Sequence, residues 1–589
     1  MTARTTPLWV LLGIVLAGGL GLSVALPSQA ATDVERLGRR IYERGDGRSG
    51  QAIRATYGVD TPVEGRAAAC VNCHRPSGLG SVEGQSIVPP ITGRALFGGG
   101  APVIVRADRL QSRGVAKTHE PYSFDEFSQI LTDGRTPEGQ TISALMPRYS
   151  FTQTETAALA AYLKTLSTDL SPGVDDTVIH LATVITPGNT ESRKTAFLLT
   201  LKALVAQLNV TSRPTLRQKA SPVDRRYGSH RQWDLAIWSL NGPSSTWAEQ
   251  LRHFQAQQPV FAIVSGLGDT EWQPVQHFCD SEQVPCWFPS LNAAPLDAAD
   301  SRYAFYFSAG IGTEASVLAQ RFAAMGGKVV QVVGASSTAA EGAKRLRAAL
   351  HAPDRAVELK VTTAGLMTDL AQLSESDAIV FWLTPAELQS LRFTAKLKAP
   401  SYLSSTLGIT ETVDLPVALA ATTLIQLEET PDLRANNLER LQAWLSASNI
   451  PIVDLRMQSE VRFAVRYLAS SLRSMLSNLY TPYLIERGET MIGSFEAMAV
   501  NDEVMALQMG PVNKRPLSDT ALSADSLGRI EHAREHLDDM RTRGGTTVYP
   551  RLSLGVGQRL ASKGAYVEPL RPGVNGAESP QWIVAELVH

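Results

Sequence analysis

Residues 70–74 read Cys-Val-Asn-Cys-His, two thiols and an imidazole within five positions. At this spacing Cys70 and Cys73 reach the two vinyl groups of one haem and form thioethers, and His74 comes up under the iron as proximal ligand. Two other chemistries share part of the pattern. A redox pair of the thioredoxin kind leaves His74 without a task, and half of a zinc site needs a second Cys-x-x-Cys that this stretch lacks. For the sixth ligand, residues 32–170 offer one methionine, Met146, and one histidine besides His74, His119. Met146 lies in Leu145-Met146-Pro147-Arg148-Tyr149, where the proline stiffens the backbone ahead of a helical pattern at 154–166. His119 lies in a polar Lys-Thr-His-Glu loop and is expected to be solvated. Met146 is therefore the expected distal ligand. Histidine and methionine together leave no open iron position, so electron transfer is the expected chemistry and no catalytic residue is assigned.

The elements that must hold this centre have a recognisable order. Gly38 and Tyr42 fall on a first helix and Leu159 and Tyr162 on a last one. With the Cys-x-x-Cys-His string and Pro89 followed by Ile91 and Gly93, these positions resemble class I c-type cytochromes over about residues 33–168. The resemblance implies an all-α domain, a crossing of the first and last helices at those positions, and a Pro89 carbonyl that accepts the Nδ1 hydrogen of the proximal histidine. Such a bond would fix the ring of His74 and tune its basicity. The chain departs from the family in an insertion between the first helix and Cys70, and in the glycines at 98–100 that lead into a long loop.

The start of the chain has the three-part pattern of a secretory signal: Arg4, an uncharged apolar run at 8–26, then small residues around Ser28 and Ala30. Cleavage near residue 31 would leave a periplasmic protein; an uncleaved segment would act as a membrane anchor. The formal net charge of −2 gives no reason to expect nucleic acid or an anionic membrane as partner. The other two of the four cysteines, Cys279 and Cys286, are close in sequence and in an exported protein are expected to form a disulfide. A metal pair with His277 is the alternative.

The expected organisation is a signal peptide at 1–31, a cytochrome domain at 32–170, a linker at 171–177 containing Ser-Pro-Gly, and a second domain at 178–589 with a C-terminal extension. In that second domain β-rich runs alternate with helical ones, at 178–185, 234–240, 260–265, 284–288, 304–308, 329–333, 356–361 and 378–383. This alternation implies parallel, doubly wound sheets covered on both faces. Helical character is expected at 461–487, and short strands at 549–554 and 558–567. The order, with Phe-Ala-Ile-Val-Ser-Gly at 261–266 and Val-Pro-Cys-Trp-Phe-Pro-Ser at 284–290, resembles type I periplasmic binding proteins of the branched-chain amino-acid kind. Such a likeness implies two lobes closing on a small polar solute.

Ligands of such sheets sit at the carboxyl ends of strands. This singles out Ser265, Gly266, Asp269, Thr270, Ser290 and Asn292 in one lobe and Trp382, Thr384, Ser404 and Ser405 in the other. Turn and cap residues have the same composition. The string His532, Glu535, His536 matches an inverted zinc-protease motif, but its Asp- and Arg-rich flanks suit a solvated helix with paired charges. Three functions follow: an electron carrier serving a periplasmic redox partner, a solute sensor, and a transport receptor with an accessory haem. The first is favoured because the haem motif is specific and the cleft is not.

Overall fold

The structure, a computed structural model, describes residues 32–58, 60–83, 86–98, 104–105, 114–115, 119–211, 231–350, 353–419, 421–509, 546–571 and 579–586. The signal segment 1–31, the glycines at 99–100 and the His532, Glu535, His536 string lie outside the described residues. Cα packing divides the chain into two compact units, Met1–Ala69 with Phe124–Tyr162, and Cys70–Ser123 with Leu163–His589.

In the first unit, Thr32 opens the helix Asp33–Arg44 with a capping box to Glu35, satisfying two backbone N–H groups reciprocally. This helix crosses Gln153–Leu163 at Gly38, where a Cβ would lie 2.0 Å from the Ala158 carbonyl oxygen. Only glycine permits so close an approach of two backbones. Tyr42 and Tyr162 pack beside the crossing with ring centroids 5.4 Å apart.

The expectation of an all-α cytochrome region is corrected here: the region is mixed. The insertion before Cys70 folds as an antiparallel hairpin, Arg54–Tyr57 with Thr61–Glu64, and Arg148–Tyr149 adds on the far side of Arg54–Tyr57. β-Branched and aromatic residues suit this pairing, and Pro62 is tolerated because its strand is at the edge.

The second unit holds two parallel sheets. The first runs in the order Ala304–Phe305, Cys286–Trp287, Ala262–Val264, Val178–Ile185, Gln232–Ser239, every neighbouring pair parallel. The second runs Ala356–Lys360, Val329–Val333, Ala378–Trp382, Ser401–Ser404, Thr422–Gln426 in parallel and ends in two antiparallel strands, Gly564–Arg571 and Gln581–Val584. Helices such as Glu191–Thr211 and Ser337–Ala349 make the crossovers. One large apolar core, including Leu181, Phe261, Val329 and Val380, lies against both sheets, and two smaller cores cover their other faces. Burial on both sides is why these strands read as continuous apolar runs.

The tail differs from expectation. The helical stretch at 461–487 is two helices, Leu455–Met475 and Thr481–Met509, broken where Leu476 takes φ +59. Residues 549–554 are irregular; the strand expected at 558–567 begins at Gly564 and continues to Arg571, and Gln581–Val584 pairs beside it. Cys279 and Cys286 form a disulfide between the helix Gln273–Glu282 and the strand Cys286–Trp287. Closing so short a loop stabilises by about 2–3 kcal/mol on the chain-entropy model. No described helix is long and apolar enough to cross a membrane.

The helix crossing gives a direct test. Gly38→Val should destabilise the folded cytochrome region by about 1–3 kcal/mol through backbone separation. Chemical denaturation followed at the haem band reads this, and an unchanged midpoint would contradict the contact.

Candidate functional site

The attachment residues sit on one helical turn. Cys70 is the N-cap of Val71–His74, and the His74 N–H donates to the Cys70 carbonyl at 2.9 Å. His74 is buried, and its Nδ1 lies 2.9 Å from the Pro89 carbonyl oxygen. A carbonyl can only accept, so Nδ1 carries the proton and Nε2 keeps the lone pair that binds metal. Burial lowers the imidazole to about 4, with the Pro89 bond opposing, so the ring is neutral at ordinary pH. A neutral, oriented, dry imidazole next to Cys73 and one turn from Cys70 fits a covalently attached haem; Cys70, Cys73 and His74 would hold it.

Met146 is half-buried in a turn, its N–H donating to the Ser143 carbonyl at 3.0 Å. The strand Arg148–Tyr149 begins two residues later, and Tyr149 is fixed by its hydroxyl to the Ala68 carbonyl at 2.9 Å. Arg148 also donates to the Met146 carbonyl. The inserted hairpin thus steadies the methionine loop within its unit. His119 stacks on Tyr122 with ring centroids 3.9 Å apart.

Residues 65–167 match the Cytochrome c family. The cytochrome c region is followed by the parallel α/β sheets described above. Among solved structures the chain is similar to a possible leucine/isoleucine/valine-binding protein from Rhodopirellula baltica SH 1. That pair is 12% identical, covers 71% of this chain and 98% of the other, and has a TM-score of 0.41. It is also similar to the branched-chain amino acid transporter substrate binding protein of Streptococcus pneumoniae in complex with isoleucine. There the identity is 11%, the coverage 69% and 100%, and the TM-score 0.41. No curated protein matches the chain at comparable significance.

The residues expected at the cleft fall into three groups. Ser265 and Ser290 end neighbouring strands of the first sheet and are fully buried with hydroxyls that have no hydrogen-bond partner. Gly266 between them has φ +145, and a Cβ there would lie 2.6 Å from the Trp272 ring. Asp269 and Asn292 reach the helix Ser337–Ala349 that packs with the second sheet. Asp269 accepts from Asn292 Nδ2 at 2.7 Å, from Thr338 Oγ1 at 2.8 Å, and from the Ser337 hydroxyl. Thr270 beside it is half-buried.

The remaining four lie in and beside the second sheet. Trp382 is in the core with Nε1 donating to Gln331 at 2.7 Å, and Thr384 caps Pro385–Ser390 with Glu387. Ser404 and Ser405 donate to Glu314, a buried carboxylate in the first turn of Ile311–Phe322. Thr406 adds its N–H at 3.0 Å and its hydroxyl at 2.9 Å. Glu314 was not legible as a site residue, since one Glu in a helix pattern carries no signal of burial. Burial raises its carboxyl to about 7 against the lowering effect of these four donors.

Arg75 and Ser77 were likewise missed. Arg75 pairs with Glu489 at 2.5 Å. Glu486 accepts from the Ser77 N–H at 2.6 Å and hydroxyl at 2.8 Å. Among the described residues no cluster of three or more His, Cys, Asp or Glu is arranged to hold a metal ion.

Glu314 sets a pH dependence whose sign is fixed. Its folded value of about 7 exceeds the ordinary 4.5, so between those limits the folded state binds the extra proton and stability falls as pH rises. Glu314→Gln should therefore gain on wild type between pH 5 and pH 8, by on the order of 2–3 kcal/mol. Denaturation midpoints at the two pH values check this; a pH-independent difference would place the carboxyl at its ordinary value.

Proposed function

We propose that this chain is an exported single-haem c-type cytochrome that carries electrons for a periplasmic redox partner. Cys70 and Cys73 bind the haem covalently, His74 is the proximal ligand and Met146 the distal one. The observation that carries the reading is the buried His74 ring with Nδ1 on the Pro89 carbonyl, next to Cys73 and one turn from Cys70, inside the region that matches the Cytochrome c family. When bound, the haem supplies a one-electron couple. The chain's own part is to hold it: two thioethers fix its edge, the Pro89 carbonyl orients a neutral imidazole, and burial keeps water from that nitrogen. Methionine as second axial ligand favours a higher potential than a second histidine would.

A second reading concerns the α/β unit. Two buried, unpartnered hydroxyls at neighbouring strand ends, Ser265 and Ser290, favour a small polar solute there, because dry polar groups are costly without a partner. On this reading the α/β unit is a two-lobed solute-binding domain, and the protein senses or receives a solute with the haem as accessory.

The haem assignment is tested in cells that attach haem c. The purified protein should carry one haem per chain by haemochrome assay, and Cys70→Ser with Cys73→Ser should yield a chain without covalent haem. Ferric wild type should show the far-red sulfur-to-iron band, and Met146→His should abolish it. A band that survives this substitution overturns the distal ligand; a colourless wild type overturns the function.

A further inference from the structure

The haem-attachment turn does not end at His74. Arg75, the next residue, takes φ +65, a conformation that L side chains rarely adopt and that persists only where surroundings over-determine it. Its guanidinium is buried on Glu489 of the helix Thr481–Met509. The other Glu489 oxygen accepts from Arg559 at 2.7 Å. Arg559 is itself fixed, donating to the Ser301 carbonyl at 2.7 Å and lying 5.2 Å over the Phe305 ring at the edge of the first sheet. A single carboxylate therefore stands between two buried guanidiniums, one of them on the residue that follows the proximal ligand. Glu486, one turn earlier on the same helix, grips Ser77.

We propose that Glu489 is a positioning residue for the haem, fixing the turn that presents His74 through Arg75 and setting the local charge against which the iron is oxidised. This rests on the haem reading above. The physical argument is charge in a dry interior, where solvent screening is weak. Two guanidiniums, Arg75 and Arg559, and two carboxylates, Glu489 and Glu486, are gathered in this dry region behind the proximal ligand, so removing one charge of either sign shifts its balance. Neutralising Glu489 makes the surroundings more positive and disfavours ferric haem, whereas neutralising Arg559 does the reverse. A merely structural contact would not give opposite signs.

The experiment uses the full-length haem-loaded protein and measures midpoint potential by spectroelectrochemistry, with thermal melting alongside. Glu489→Gln should raise the potential, Arg559→Gln should lower it, and Glu489→Asp, which keeps the charge, should return it toward wild type. Tyr467→Phe removes a buried hydroxyl that donates to the Gly488 carbonyl at 2.7 Å on the same helix. It should lower the melting temperature while leaving the potential unchanged. If Glu489→Gln does not fold, the signs from Arg559→Gln and Glu489→Asp still decide. Potentials that move in the same direction for Glu489→Gln and Arg559→Gln, or that stay fixed while melting temperatures fall, overturn the proposal. A wild type without haem fails the cytochrome reading instead, and the haemochrome assay reports that separately.

Discussion

Burying an ion is expensive unless a countercharge goes with it, and the peptide that follows His74 depends on that rule. Arg75 and Ser77 are buried, and their partners are two carboxylates three positions apart on the helix Thr481–Met509. Residues three apart share a helix face, so Glu486 and Glu489 meet one short segment together. Leu79 then enters the large apolar core of the sheets. The attachment turn is in consequence folded as part of the α/β unit, tied to the helix Thr481–Met509 by two carboxylates and to the sheet core by Leu79.

The α/β unit shows the same rule at the carboxyl ends of its strands. The hydroxyls of Ser404 and Ser405 on the second sheet hold Glu314, and Asp269, after a strand of the first sheet, is tied to Ser337 and Thr338 at the start of Ser337–Ala349. The unpartnered hydroxyls among the expected cleft residues are on the first-sheet side, at Ser265 and Ser290. Internal carboxylates thus meet part of the polar demand that a ligand would otherwise meet. The energetic cost is visible in Glu314, whose ionised form is disfavoured by burial despite four donors.

Much of this was legible in the sequence because it depends on local spacing or long apolar runs. Cys70, Cys73 and His74 announce their chemistry within five positions. The strand-helix alternation announces parallel sheets, since strands covered on both faces cannot hide their apolar character. The inserted hairpin was not legible: its strands are four residues long, and one of them, Arg54–Tyr57, also pairs with Arg148–Tyr149, far along the chain. Trp382, Thr384, Ser404 and Ser405 were legible as polar or aromatic residues at strand ends, but caps, core partners and ligand contacts share that composition. The Arg75–Glu489 pair spans 414 positions, and no local pattern marks it.

The closing strands of the second sheet have a consequence for how the molecule comes into being. Thr422–Gln426 obtains its outer neighbour, Gly564–Arg571, only near the end of the chain, and Arg559 is made just before it. A ribosome makes Arg75 414 positions ahead of Glu489. Until Glu489, Arg559 and Gly564–Arg571 are made, the segment after His74 lacks its ionic partners and one sheet edge is bare. Contacts of such long sequence separation form slowly, so the anchoring of the segment after His74 and the closing of the second sheet are expected among the last steps in the folding of this unit.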